Sequence, residues 1–283
     1  MNVTPTLRET LHQGQQQGLE RLDAQMLLLH ALGRSPHDRA WLMAHDGDML
    51  IEEAAARWEV LLQRRRAGEP VAYLLGEKAF FGLSLAVDAR VLVPRPDTEV
   101  LVQWALDVLP ATGGATPPRM LDLGTGSGAI ALALARHRPD TQITATDASA
   151  DALAVAQANA RRLGLPVRFA HGTWLSAVPG ERFDVIASNP PYIAEGDPHL
   201  PALRFEPRSA LTSGPDGLDA IKTIINQGSA ALCPGGWLLL EHGHDQAQAV
   251  RALLQCAGFA HVSSRTDLAG IERCSGGYWP QQR

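Results

Sequence analysis

From residue 119 onward, short apolar runs alternate with helical patterns, and nothing else in the chain restricts its fold as much. "RMLDLG", "QITATD", "VRFAHG", "FDVIASN" and "WLLLEHG" read as buried strands, with "AIALALARHR" and "DALAVAQANARRLG" as helices between them. Strands separated by helices of this length imply βαβ crossovers and a mostly parallel sheet. In an open α/β sheet, ligands bind outside the carboxyl ends of the strands. The loops that follow those runs are therefore where chemistry is expected.

The first seventy or so residues have a different texture. In "EEAAARWEVLLQRRR", Ala54, Trp58, Leu61 and Leu62 follow the i, i+4, i+7, i+8 spacing of one buried helical face. "RLDAQMLLLHALG" reads as a helix ending at Gly33, after which Ser35-Pro36 offers an N-cap and an N1 proline for the next. Arg64, Arg65 and Arg66 read as a solvated helix end at the negative pole of its dipole, with docking to an acidic partner as the alternative. Beyond Gly68-Glu69-Pro70, "FFGLSLAVDARVLVPRPDTE" alternates apolar residues around Gly82, as a β-hairpin does. "ATGGATPP" (111–118) reads as a loop leading into the sheet.

A 45% apolar and 19% charged composition over 283 residues belongs to a globular protein with a substantial core. The formal net charge of −5 gives no electrostatic footprint for general nucleic-acid binding. No apolar run approaches membrane-spanning length, and "MNVTPTLRETLHQGQQQGLE" has no signal-like apolar region, so a cytoplasmic protein is expected. Cys233, Cys256 and Cys274 have neither zinc nor disulfide spacing and are expected as buried thiols in a reducing compartment.

Two loops carry the chemistry. "LDLGTGSGAIALALA" sets Gly124, Gly126 and Gly128 between a strand and a helix, where a ligand can approach the backbone and meet helix N–H groups. With Ala129 the run also satisfies G-x-G-x-x-A, so this segment alone leaves a nicotinamide dinucleotide open. Asp147 ends the second strand; it suits the two hydroxyls of a ribose, or a plain helix N-cap. "NPPY" (189–192) follows the fourth strand, and its two prolines forbid continuation as helix or central strand. The Asn189 side-chain oxygen and the Pro190 carbonyl can both accept from an NH₂ group, and Tyr192 can lie against a planar one. That is a socket for a flat amino or amide nitrogen, a poor nucleophile because its lone pair is delocalised. Acceptors on its protons favour the positive character it gains during attack on an electrophilic methyl donor.

"DLGTGSG", Asp147 and "NPPY" together resemble a class I S-adenosylmethionine-dependent methyltransferase acting on a planar nitrogen. "NPPY" is shared with adenine-N6 DNA methyltransferases, so it indicates the chemistry and not the substrate. "PVAYLLGEKAFFG", "VLVPRPDTE", "FEPRSAL", "GPDGLDAI" and "LLLEHG" resemble the peptide chain release factor glutamine methyltransferases, over nearly the whole chain. "RPDTE" favours this branch over the related methyltransferase of a ribosomal protein glutamine.

The resemblance implies a Rossmann-like, seven-stranded α/β domain over 99–283. The resemblance extends through a helical domain over 1–72, expected to dock the substrate because one glutamine side chain is too small to select a protein, and through a linker with a hairpin over 73–98. It implies methylation of the glutamine side-chain nitrogen in the Gly-Gly-Gln motif of class 1 release factors, with S-adenosyl-L-homocysteine as product. Gly124, Thr125, Gly126, Ser127, Gly128 and Asp147 would hold the methionine and ribose parts of the cofactor, and Trp174 its adenine. Asn189, Pro190, Pro191 and Tyr192 would hold the substrate glutamine, with Asn189 also near the cofactor. Asn189, Pro190 and Tyr192 would carry the catalysis. Thr173 departs from the pattern, which commonly has Asp there. The expected partner is a release factor, with no nucleic acid, membrane or metal, and a monomer. An adenine-N6 nucleic-acid methyltransferase and a non-catalytic cofactor-binding module are the alternatives.

Other polar residues carry plainer readings. Glu241, His242 and His244 follow a strand in a turn and are expected at a structural or rim position. Arg95, Asp97 and Glu99 either shape the mouth of the site or brace the hairpin. Arg208 either joins that mouth or pairs with a structural carboxylate.

Overall fold

Helical periodicity in the first quarter of the chain becomes five helices: α1 (Leu7–Gln16), α2 (Arg21–Ala31), α3 (Arg39–Ala44), α4 (Glu52–Arg66) and α5 (Val71–Leu75). The computed structural model describes residues 4–111 and 116–280, so the loop expected at 111–118 lies outside the described residues over 112–115. Ala54, Trp58, Leu61 and Leu62 are the buried face of α4, as their spacing requires. They pack with Leu27, Leu28 and Leu29 of α2 in one core. From α4, Arg57 Nε donates to the Ala31 carbonyl at 2.7 Å and satisfies an orphan acceptor at the end of α2.

Two local readings of this region change. Asp38, not Ser35, caps α3, accepting from the Trp41 N–H at 3.3 Å. The Ser35 hydroxyl is occupied two residues on, at the His37 N–H, so the Ser-Pro pair makes a turn before the helix. The arginine run is not merely solvated: Arg64 pairs with Glu69, Arg65 with Asp23, and Arg66 donates to Gln17.

The chain forms two compact units, one up to Glu77 and one from Lys78. In the second, β1 (Glu77–Phe80) and β2 (Leu83–Ala86) pair as a hairpin around Phe81 and Gly82, both at positive φ (45° and 74°). Then come α6 (Thr98–Val108), β3 (Arg119–Leu123), α7 (Ala129–His137), β4 (Gln142–Asp147), α8 (Ala150–Leu163), β5 (Arg168–His171) and β6 (Phe183–Ser188). α9 (Asp219–Ala231), β7 (Leu232–Glu241), α10 (Ala247–Cys256), β8 (Ala260–Thr266) and β9 (Glu272–Tyr278) complete it.

The seven-stranded sheet has the order β5-β4-β3-β6-β7-β9-β8. β3 to β7 pair in parallel; β9 runs antiparallel to both β7 and β8. Successive strand residues feed opposite layers: Met120, Val185 and Leu239 pack with α6 and α7, while Leu121, Ile186 and Leu240 pack with α9 and α10. That is why the central strands read as continuous apolar runs. Strand order reverses at β3, which opens a crevice above its carboxyl end between β4 and β6. The hairpin joins the first layer through Phe80, Leu83 and Leu85.

Cys274 is buried, but Cys233 is half-buried and Cys256 exposed at the end of α10, which corrects the expectation of three buried thiols. Among the described residues, no helix is long and apolar enough to cross a membrane.

Candidate active site

A cavity of about 340 Å³ lies in the crevice at the strand ends, within the range of small-molecule sites. The glycine loop, Asp147, Thr173, Trp174, Asn189 and Pro191 line it, with Arg95 and Thr98 from the opposite side. The sequence brings these residues together because all but Arg95, which lies in the segment before α6, follow the carboxyl end of a strand or open the next helix.

The glycine loop is held from below and from the side. Gly124, Gly126 and Gly128 all take positive φ (70°, 55° and 87°). A Cβ on Gly128 would stand 2.9 Å from Leu132 Cδ1 and 3.3 Å from Ala156 Cβ, so this position is closed by helix packing as well as by backbone strain. Asp122, fully buried in β3, accepts from the Thr125 hydroxyl at 2.6 Å and the Ala131 N–H at 3.2 Å. Burial pushes its carboxyl up to about 7.

Asp147 is not a helix cap. Ser149 does that work for α8, accepting from the Ala152 N–H at 3.2 Å. The Asp147 carboxylate instead accepts from the Gly126 N–H at 2.9 Å and the Ser149 N–H at 2.8 Å, which fixes it at the cavity wall. Trp174 is held at φ 48°, a left-handed backbone costing about 1–3 kcal/mol in a non-glycine residue. Its ring stands 3.5 Å from where a Gly124 Cβ would be.

Within "NPPY" the roles divide. Asn189 and Pro191 line the cavity; Pro190 is buried behind them and Tyr192 is half-buried. Asn189 Nδ2 donates to Thr98 Oγ1 at 3.2 Å, while its Oδ1 is buried with no hydrogen-bond partner. A buried amide oxygen left unpaired costs free energy that a ligand donor would recover. The Tyr192 hydroxyl donates to Glu241 Oε1 at 3.4 Å. Burial raises the pKa of both groups, that of Glu241 to about 7.

The mouth residues separate as well. Arg95 lines the cavity and pairs with Glu206 at 2.5 Å; Glu206 also accepts from the Val93 N–H at 3.0 Å, tying "VPRPD" to "FEPRS". Glu99 accepts from the Phe81 N–H at 3.0 Å and so braces the hairpin, and Asp97 pairs with Arg273. Arg208 opens a 3₁₀ turn whose Ser209 and Ala210 line the mouth. His242 is buried between the Gly243 carbonyl and the Ser275 hydroxyl. That pairing and burial make it structural, and no metal-ligating cluster occurs among the described residues.

Sequence reading passed over two supports. Asn159, fully buried on α8, bonds both backbone groups of Ala86 and the Ser127 carbonyl, joining hairpin to glycine loop. Its signal was an amide on an otherwise small, apolar helix face. Thr98, inside "RPDTE", carries no sequence signal for its place beside Asn189.

Residues 7–76 match the PrmC N-terminal domain and residues 99–204 the Methyltransferase small domain. A release factor glutamine methyltransferase of Bordetella pertussis is 55% identical over 92% of this chain and 96% of its own length. One of Burkholderia pseudomallei is 53% identical over 93% of each. Among solved structures, a methyltransferase from Pyrococcus furiosus superposes with a TM-score of 0.55 at 20% identity, over 77% of this chain and 98% of that one. That likeness shows the fold.

Proposed function

The chain belongs to the release factor glutamine methyltransferases, and from that premise we propose that it methylates the side-chain nitrogen of the glutamine in the Gly-Gly-Gln motif of class 1 release factors, using S-adenosyl-L-methionine. The single observation that carries the reading is the unpartnered, buried Oδ1 of Asn189 at the wall of the cavity.

The residues present fit that cofactor. The glycine loop offers backbone close to the cavity, Asp147 has acceptor capacity beyond its two backbone bonds for ribose hydroxyls, and Trp174 offers an aromatic face for adenine. When bound, S-adenosyl-L-methionine supplies an electrophilic methyl group. Asn189 Oδ1 and the Pro190 carbonyl accept from the two substrate N–H groups and orient the nitrogen. As that nitrogen gains positive character the two acceptors bind it more strongly than in the ground state, which lowers the barrier. Positioning supplies the rest, and the methylated nitrogen keeps one proton and releases the other to water.

A glutamine side chain is too small to identify one protein among thousands, so selectivity rests on contacts elsewhere. Of the exposed large apolar residues, Leu22, Met43, Met49, Ile51 and Val60 belong to the helical unit, which supports release-factor docking there. Such a substrate also sets the site of action where translation occurs.

Incubation with methyl-labelled S-adenosyl-L-methionine and either release factor or DNA, followed by mass spectrometry, tests this. Label on the Gly-Gly-Gln glutamine is expected. Label on adenine, or on no substrate, overturns the reading.

A further inference from the structure

Glu241 is a buried carboxyl that the reaction above does not use. It ends β7 at 1% exposure, and the Tyr192 hydroxyl donates to its Oε1. Its Oε2 is buried without a hydrogen-bond partner. Thr98, 4% exposed at the start of α6, acts on the same carboxyl in favour of its charged form, although its hydroxyl makes no formed hydrogen bond to either Glu241 oxygen. Thr98 Oγ1 also accepts from Asn189 Nδ2. A hydroxyl that accepts from an amide still has its own proton to place, and an orphan carboxylate oxygen is the strongest acceptor nearby.

This matters because an amide is nearly symmetrical in shape and opposite in function at its two ends. Turned by 180°, Asn189 would offer N–H donors to a substrate that is itself an NH₂ donor. Taking the glutamine-methylation reading as given, we propose that Glu241 and Thr98 are positioning residues: Glu241 accepts a hydrogen bond from the Thr98 hydroxyl, Thr98 Oγ1 accepts one from Asn189 Nδ2, and the Asn189 oxygen is thereby kept for the substrate. The same carboxyl holds the Tyr192 hydroxyl, so one buried group orients both ends of "NPPY".

The test is a shape-conserving series. Thr98→Val removes the hydroxyl and keeps the volume. It should lower kcat on release factor by about 10- to 100-fold, the size of effect that a misplaced reacting group produces. Affinity for S-adenosyl-L-homocysteine, read by calorimetry, should change far less than kcat. Thr98→Ser should return kcat to within a few-fold of wild type, which a purely packing role would not allow. An independent readout needs no turnover. The chain has four asparagines, so selective ¹⁵N labelling gives four side-chain NH₂ pairs, and Asn189→Ala identifies the one concerned. Hydrogen exchange at that NH₂ should be slow in wild type and in Thr98→Ser, and fast in Thr98→Val. Glu241→Gln, which leaves one acceptor for two hydroxyls, should speed that exchange too and carries the test if Thr98→Val does not fold. Wild-type kcat in Thr98→Val, equal impairment of the Val and Ser variants, or unchanged Asn189 exchange would each overturn the relay. If wild type labels no release factor, the functional reading fails, while the exchange measurement still decides the relay.

Discussion

The two units of this chain treat polarity in opposite ways. In the helical unit Thr10 is the one buried polar side chain among the described residues, and its hydroxyl is satisfied by the Thr6 carbonyl. In the sheet unit Asp122, Thr141, Asn189 and Glu241 each keep a buried oxygen without a partner; Thr141 precedes β4, and the other three lie at or just beneath the carboxyl ends of strands. Burial pushes the two carboxyls among them, Asp122 and Glu241, up to about 7. Apolar exposure runs the other way, with five of the seven large exposed apolar residues in the helical unit. Unsatisfied acceptors are costly in a core and useful in a site that must bind N–H groups. Exposed apolar side chains are costly in water and useful against another protein. The contrast supports the proposal that one unit carries the chemistry and the other the recognition.

The largest effect expected on that contrast comes from Asn189→Ala. It should reduce kcat by roughly 10²–10³-fold, as loss of one preorganised transition-state partner does, with cofactor affinity nearly retained. Steady-state kinetics on release factor checks this; near-normal turnover breaks the chemical half of the comparison. Asp147→Ala comes next. Loss of charge-assisted hydrogen bonds should weaken S-adenosyl-L-methionine binding by about 1.5–3 kcal/mol in calorimetry. Unchanged affinity in a folded variant would remove Asp147 from the site.

The smallest effect is on stability. Burial raises Glu241 from an ordinary 4.5 to about 7. Between those values the folded chain holds a proton that the unfolded chain has released, so this group makes stability fall as pH rises through that window. Glu241→Gln removes the slope, whereas Asp122 and His242 remain in both proteins and cancel in the difference. The urea midpoint of the variant relative to wild type should therefore climb from pH 4.5 to pH 7 and level off above it. A flat difference would mean that Glu241 is not held in a raised-pKa setting.

Legibility in the sequence followed burial. The α4 face and the strands β3, β4 and β6 were readable because their apolar residues carry the period of the element. β8 and β9 escaped strand-by-strand reading. "AHVSSRT" is an edge strand with no fully buried residue, and β9 carries Gly276, where a Cβ would lie 2.5 Å from Leu239. Close backbone approach there demands a glycine, and glycine erases the strand signal. In the site, the glycine loop, Asp147 and "NPPY" were visible because each needs unusual local chemistry. Thr98 and Glu241 were not, since they lie 143 residues apart and ordinary spacing rules do not reach that far. The one hint for Glu241 was its place at the end of "LLLE", the strand-end position that Asp147 also occupies.

The division between the units is tested most directly by a chain beginning at Lys78, assayed beside the full-length protein on whole release factor and on a short Gly-Gly-Gln peptide. The account predicts that the shortened chain binds S-adenosyl-L-methionine and keeps its weak activity on the peptide, while losing most of its kcat/KM for the whole release factor. Undiminished methylation of whole release factor would contradict it.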